Sequence, residues 1–176
     1  MTRVSGLMRA RPGWETAVRE DGFSAIEMMT VLAVIAILAL MAVPSYMDKF
    51  VKDQIVEALP LADIAKAPIA ASWAIAQTFP ADNAAAGLPA TDKIVSNFIS
   101  SLSVQDGAIH LTFGNRANSA IKDKILTLRP AVVEDAPVVP VAWVCGRAKG
   151  PDKMTIQGAN STNIPVNFLP LKCRAG

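Results

Sequence analysis

Histidine occurs once in these 176 residues, at His110, and cysteine twice, at Cys145 and Cys173. Three such ligands are too few for an independent zinc site. No Ser or Cys has a second His to complete a nucleophile–base set. Glycine-rich phosphate loops and paired-cysteine metal motifs are missing too, and there is no internal repeat. Neither an enzyme nor a bound cofactor or metal is expected. Charge is also scarce: 18% of residues are charged, and 17 basic against 15 acidic residues leave a net charge of +2. That balance gives no argument for nucleic acid as the principal partner. The 52% hydrophobic content excludes a disordered tail, and the length suits one domain of ordinary size.

What is present is a dense apolar block near the N-terminus. Residues 1–22 carry Arg3, Arg9, Arg11 and Arg19 against Glu15, Glu20 and Asp21, with no long apolar stretch. From Phe23 to Met47 the single charge is Glu27, and the core of the run, residues 28–43, is with its flanks long enough to cross a bilayer as a helix. The basic leader before the run places residues 1–22 in the cytoplasm and the C-terminal part outside. A secretory signal would have its small residue after the apolar core. Here the small residue is Gly22, before it, so a cut there would leave the hydrophobic helix on the mature chain. Glu27 is costly inside an apolar span, by about 2.5–3.5 kcal/mol, which makes it a functional candidate. The alternative is that it lies near the membrane surface, where a charge is tolerated.

The string Gly22-Phe23-Ser24-Ala25-Ile26-Glu27, the apolar run and then Pro44-Ser45-Tyr46 resemble the N-terminus of type IV pilin precursors. Trp143-Val144-Cys145 and Leu169-Pro170-Leu171-Lys172-Cys173-Arg174 are similar to the two ends of the disulfide-bounded loop of many pilins. The resemblance implies an α+β fold, with a long N-terminal helix, transmembrane in its first half, packed on a small antiparallel sheet. It implies three parts: a leader, 1–22; a transmembrane and assembly half-helix, 23–47; and a periplasmic or extracellular head, 48–176. It also implies that a prepilin peptidase cuts between Gly22 and Phe23 and methylates the new Phe23 amine. Inner-membrane machinery would then draw the subunit from the inner membrane into a fibre of like subunits. Glu27 and Pro44 would serve assembly, Glu27 by pairing with the Phe23 amine of a neighbour.

Beyond the span, Val51, Ile55, Ala58, Leu59, Ala62, Ala65, Ile69, Trp73 and Ala76 recur in steps of three and four and mark one helical stripe. A helix from Phe23 to about Gln77 would be ~80 Å long, with bends or breaks at Pro60 and Pro68. Residues 80–92 read as a loop. Strands are expected at about 94–104, 108–113, 124–133 and 138–145, with Asp106-Gly107 as a hairpin turn. Residues 146–173 read as an irregular loop with a short strand or two. His110, alternating with Ile109 and Leu111, is expected to face solvent.

In an extracytoplasmic domain two cysteines are most simply a disulfide. Closing the loop between Cys145 and Cys173 is worth roughly 3–4 kcal/mol on the chain-entropy estimate. Asn160-Ser161-Thr162 fits the N-glycosylation triplet, a common chance match. Two other functional readings compete with a pilus fibre. A pseudopilin of a type II secretion system would share the N-terminal motif, though major pseudopilins usually lack the disulfide. A minor pilin binding a host surface or DNA would use the basic residues Arg147, Lys149, Lys153, Lys172 and Arg174.

Overall fold

The computed structural model describes residues 22–175, and residues 42–45 without their side chains. The proposed leader, apart from Gly22, lies outside the described residues. The chain divides after Leu40 into two compact units.

The first unit is helical. Helix α1, Ala25–Ala58, begins here, and every residue from Gly22 to Met41 is exposed. Its run of Val, Ile, Leu, Ala and Met suits a helix, since all backbone donors and acceptors beyond the first turn pair internally. By length and composition it can cross a membrane.

The second unit starts at Met41 and is built on one antiparallel sheet. The rest of α1 gives way to a 3-10 turn, Leu59–Ala62, and then to α2, Asp63–Ala76. Pro60 falls in the first turn of the 3-10 segment, where no donor is needed. Pro68 lies inside α2 and removes one ladder donor there. Gln77, in the left-handed conformation, closes α2 through its N–H to the Trp73 carbonyl at 2.9 Å. The expected stripe is the buried face: Val51, Ile55, Ala58, Leu59, Ala62, Ala65, Ile69 and Trp73 are all buried, while Ala76, at the helix end, is exposed.

That face packs on strands β1, Ile99–Gln105, β2, Ala108–Phe113, and β3, Ile125–Val132. Strand β4, Ala142–Cys145, and the short β5, Thr155–Ile156, both pair with β3. Leu102 pairs with Leu111, and Val104 with Ile109. On the other side of β2, Ile109 pairs with Leu128 and Leu111 with Leu126. These residues alternate with polar ones and form the inner face of the sheet. Asp106 and Gly107, both at positive φ, make the expected hairpin turn. Gly107 is also sterically required, since a Cβ there would lie 2.7 Å from the Phe79 ring. Phe79 in turn stacks on Trp73 at 5.0 Å.

Two strands are shorter than expected. Residues 94–98 are not in β1, because the Ser96 hydroxyl accepts the N–H groups of Phe98 and Ile99 and holds a turn. Residues 138–141 are not in β4. Two turns, closed by Ala136 N–H to Val133 and Val139 N–H to Ala136, and the prolines at 137 and 140 keep that stretch off the sheet.

The loop at 80–92 is present and is anchored by Asn83. Its amide donates to the carbonyls of Pro89 and Leu102, and its oxygen accepts the Val104 N–H at 2.6 Å. Asn83 therefore occupies the free edge of β1.

Candidate functional site

Two places on the chain carry the features singled out in the sequence. The first is the start of α1. Gly22 and Phe23 are exposed and non-helical, Phe23 being 81% exposed. A Cβ at Gly22 would meet nothing within 4 Å, so the fold itself makes no demand for glycine there.

Just beyond, Ser24 and Glu27 cap the helix reciprocally. The Ser24 N–H donates to Glu27 Oε2 at 2.9 Å, and the Glu27 N–H donates to Ser24 Oγ at 3.2 Å. This capping box satisfies two of the orphan donors at the helix start. It also sets the carboxylate at the positive end of the helix dipole. Thr30 adds a hydroxyl bond to the Glu27 carbonyl at 2.8 Å. The pair was legible as Ser-x-x-Glu before an apolar run, a signal the reading of Glu27 as an isolated carboxylate passed over. Pro44 sits within the helical stretch of α1, and its side chain lies outside the description.

The second place is the C-terminal loop. Cys145, at the end of β4, and Cys173, in a 3-10 turn at Leu171–Cys173, form a disulfide with their Cα atoms 4.6 Å apart. Within the loop, residues 158–162 cross the outer face of the sheet as a strap. A Cβ on Gly158, whose φ is +80°, would lie 2.7 Å from Ala108 Cβ. Asn160 Nδ2 donates to the Gly146 carbonyl at 2.9 Å. The Ser161 N–H donates to Thr127 Oγ1 at 3.1 Å, and Thr162 Oγ1 accepts the Thr127 N–H. All three residues of the Asn160-Ser161-Thr162 triplet thus hold the strap.

The strap corrects the expectation for His110. That side chain is 5% exposed and not solvent-facing. It lies on the outer face of β2, paired with Ser103 on one side and Thr127 on the other, beneath the strap. Burial lowers its pKa.

The basic residues of the loop do not act alike. The Arg174 guanidinium donates to the carbonyls of Leu169 and Asn167, at 2.7 and 3.1 Å, and is structural. Arg147, Lys149, Lys153 and Lys172 are exposed. Arg147 is brought beside the disulfide by its N–H to the Cys173 carbonyl, while Lys149 and Lys153 flank the turn before β5.

Known proteins carry sequences like this one. A family model described as pilin, bacterial filament, matches residues 51–174. The chain is 31% identical to a fimbrial protein of Neisseria meningitidis serogroup A, over 88% of this chain and 94% of that protein. It is 30% identical to the type IV major pilin protein PilE of Neisseria gonorrhoeae, with the same coverage. It is also 30% identical to the fimbrial protein EcpC of Eikenella corrodens, over 88% of this chain and 91% of that protein. The exposed apolar helix, the helix-on-sheet unit and the disulfide-bounded loop agree with that match. The chain therefore belongs to the pilin family of bacterial filaments, as a structural protein and not an enzyme.

Proposed function

We propose that the chain is the structural subunit of a type IV pilus. Residues 1–22 would be a leader that a prepilin peptidase removes between Gly22 and Phe23, methylating the new amine. Residues 23–47 would then hold the subunit in the inner membrane and later in the fibre axis, with 48–176 as the external head. The carrying observation is the uncovered apolar helix: every residue from Gly22 to Met41 is exposed. A surface of that kind needs lipid around it, or other helices. Movement from the first environment to the second is what assembly would consist of.

Three residues support this reading. Gly22 has no role in the fold, which fits a constraint imposed by an enzyme that must approach the backbone closely. Glu27 uses Oε2 for its capping bond, and a carboxylate has lone pairs to spare for a neighbour's Phe23 amine. From Phe23 to Asp48 no Lys or Arg offers another partner, so that pair would set the axial register. Pro44 removes one donor from the span and gives the helix a place to bend. The relatives named as fimbrial proteins and type IV major pilins favour a pilus over the export piston of a pseudopilin.

Intact-mass spectrometry of fibres sheared from the cell surface tests this. The expected species lacks residues 1–22, carries one added methyl and is short of two hydrogens for the disulfide. A full-length species would refute processing. A processed species confined to the membrane fraction would refute the external fibre. Replacing Gly22 with a bulky residue should leave an uncut precursor.

A further inference from the structure

The two ends of the sheet are unlike, and they match each other. At the end where β1 begins and β2 stops lies a groove of about 340 Å³ lined by Phe50, Gln54, Asn97, Phe98 and Arg116. Phe50 is 48% exposed although it is a large aromatic, and Arg116 is exposed at the rim. The groove is held in shape locally. The Arg116 N–H donates to the Asn97 carbonyl at 3.0 Å, and Gln54 Oε1 accepts the Asn118 N–H at 2.9 Å. The β2–β3 loop behind it, residues 114–124, carries Arg116, Lys122 and Lys124 against one acid, Asp123.

The loop between β3 and β4, residues 133–141, leaves the opposite end. It carries Glu134 and Asp135 and no basic residue, and it presents Val138, 89% exposed. Two successive turns and two prolines stiffen it, so little freedom is lost when it is bound. Lys153 stands two residues before Thr155, which pairs with Val132 at the start of that loop. None of the ion pairs among the described residues takes in Glu134 or Asp135.

We propose that the 133–141 loop of one copy docks in the Phe50–Phe98–Arg116 groove of the next. Val138 lies against the two aromatic rings, and Glu134 and Asp135 face Arg116. The surfaces are complementary in charge and each is exposed. Being at opposite ends of one sheet, they cannot meet within a subunit. A heterologous contact of this kind, where its rotation does not close a ring, propagates as an open helical array. The inference rests on the reading of the chain as a fibre subunit and names the head-to-head surface of that fibre.

The test uses fibres of the full chain carrying Arg116→Lys, which keeps the charge and adds an amine. A zero-length carbodiimide should couple the introduced amine to Glu134 or Asp135, giving a ladder of multimers whose linked peptides mass spectrometry identifies. Eight strand residues at about 3.3 Å each separate the two ends within one subunit, so such a link is intermolecular. In a second arm, Arg116→Glu should lower fibre yield about tenfold or more, and adding Glu134→Lys with Asp135→Lys should restore it. Fibres without the link, or with the introduced amine coupled only to other acids, would overturn this contact and leave the pilus standing. No fibres from the unaltered chain would overturn both. The conservative lysine variant remains decisive should the charge reversal impair folding.

Discussion

His110 Nδ1 lies 3.0 Å from Thr127 Oγ1, and that same hydroxyl accepts the Ser161 N–H at 3.1 Å. A hydroxyl has one proton and two lone pairs, so with one lone pair taken by the strap it can still bond either neutral tautomer of the imidazole. Nε2 is buried without a partner, so a doubly protonated ring would leave one N–H without an acceptor. The neutral ring is thus the form the fold accepts.

The consequence is a pH dependence with a definite sign. Burial lowers His110 below its ordinary value of 6.5. Ser103, Thr127 and the Ser161 backbone face the ring, and Arg129 is the charged residue on the same face of β3. Well above pH 6.5 neither state holds the proton. As pH falls through 6.5 the unfolded chain binds it first, and stability drops by at most about 1.4 kcal/mol per pH unit until the folded ring titrates too. Urea midpoints of the intact chain in detergent should fall between pH 7.5 and 5.5. In His110→Asn the same interval should be nearly flat.

Loss of the disulfide should loosen the strap before it unfolds the sheet. Cys145→Ser with Cys173→Ser opens a loop with a sequence separation of 28, at a cost of roughly 3–4 kcal/mol. Hydrogen exchange should show the earliest loss of protection at Ser161 and Thr127, whose N–H groups bond across strap and β3. The Asp106-Gly107 hairpin, held from the other side, should keep its protection longer.

Asn83→Ala removes three bonds from a buried side chain and leaves the Val104 N–H without its acceptor. The expected loss is about 2–3 kcal/mol, read as a lower urea midpoint. Asn83→Asp keeps the acceptor for Val104 and loses both donated bonds, so it should not rescue the variant.

The Ser24–Glu27 box separates helix capping from assembly. Ser24→Ala weakens the cap by about 0.5–2 kcal/mol and leaves the carboxylate charge intact. Glu27→Gln keeps a competent capping residue and removes the charge. If Glu27 pairs with a neighbour's amine, fibres should be lost in Glu27→Gln and retained in Ser24→Ala, counted by electron microscopy in cells lacking other pilins. Equal losses would reduce Glu27 to a capping residue.

The helix-on-sheet unit was legible because its signals are local. Val51, Ile55, Ala62 and Ile69 keep the helical period, and Asp106-Gly107 supplies the positive φ angles of a hairpin. The disulfide followed from two cysteines beyond an apolar span. His110 was misread because strand alternation predicts which face a residue takes and says nothing about what covers that face. Here residues 158–162, far along the chain, cover it. Asn83 left no local signal, since its partners Leu102 and Val104 are about twenty residues away. The trimmed strand starts at Ser96 and Pro140 record a side chain and a ring competing with the sheet for backbone bonds.

Asn83 also bears on the kind of polymer these subunits can make. An unpaired outer strand invites a second strand to join it, and that kind of bond, once repeated down a stack, rarely comes apart. By filling the outward-facing bonds of Leu102 and Val104 from within, the head withholds that option. Along this edge, contacts between heads are then left to side chains. A polymer joined that way can be dismantled with its components still folded, ready to be used again.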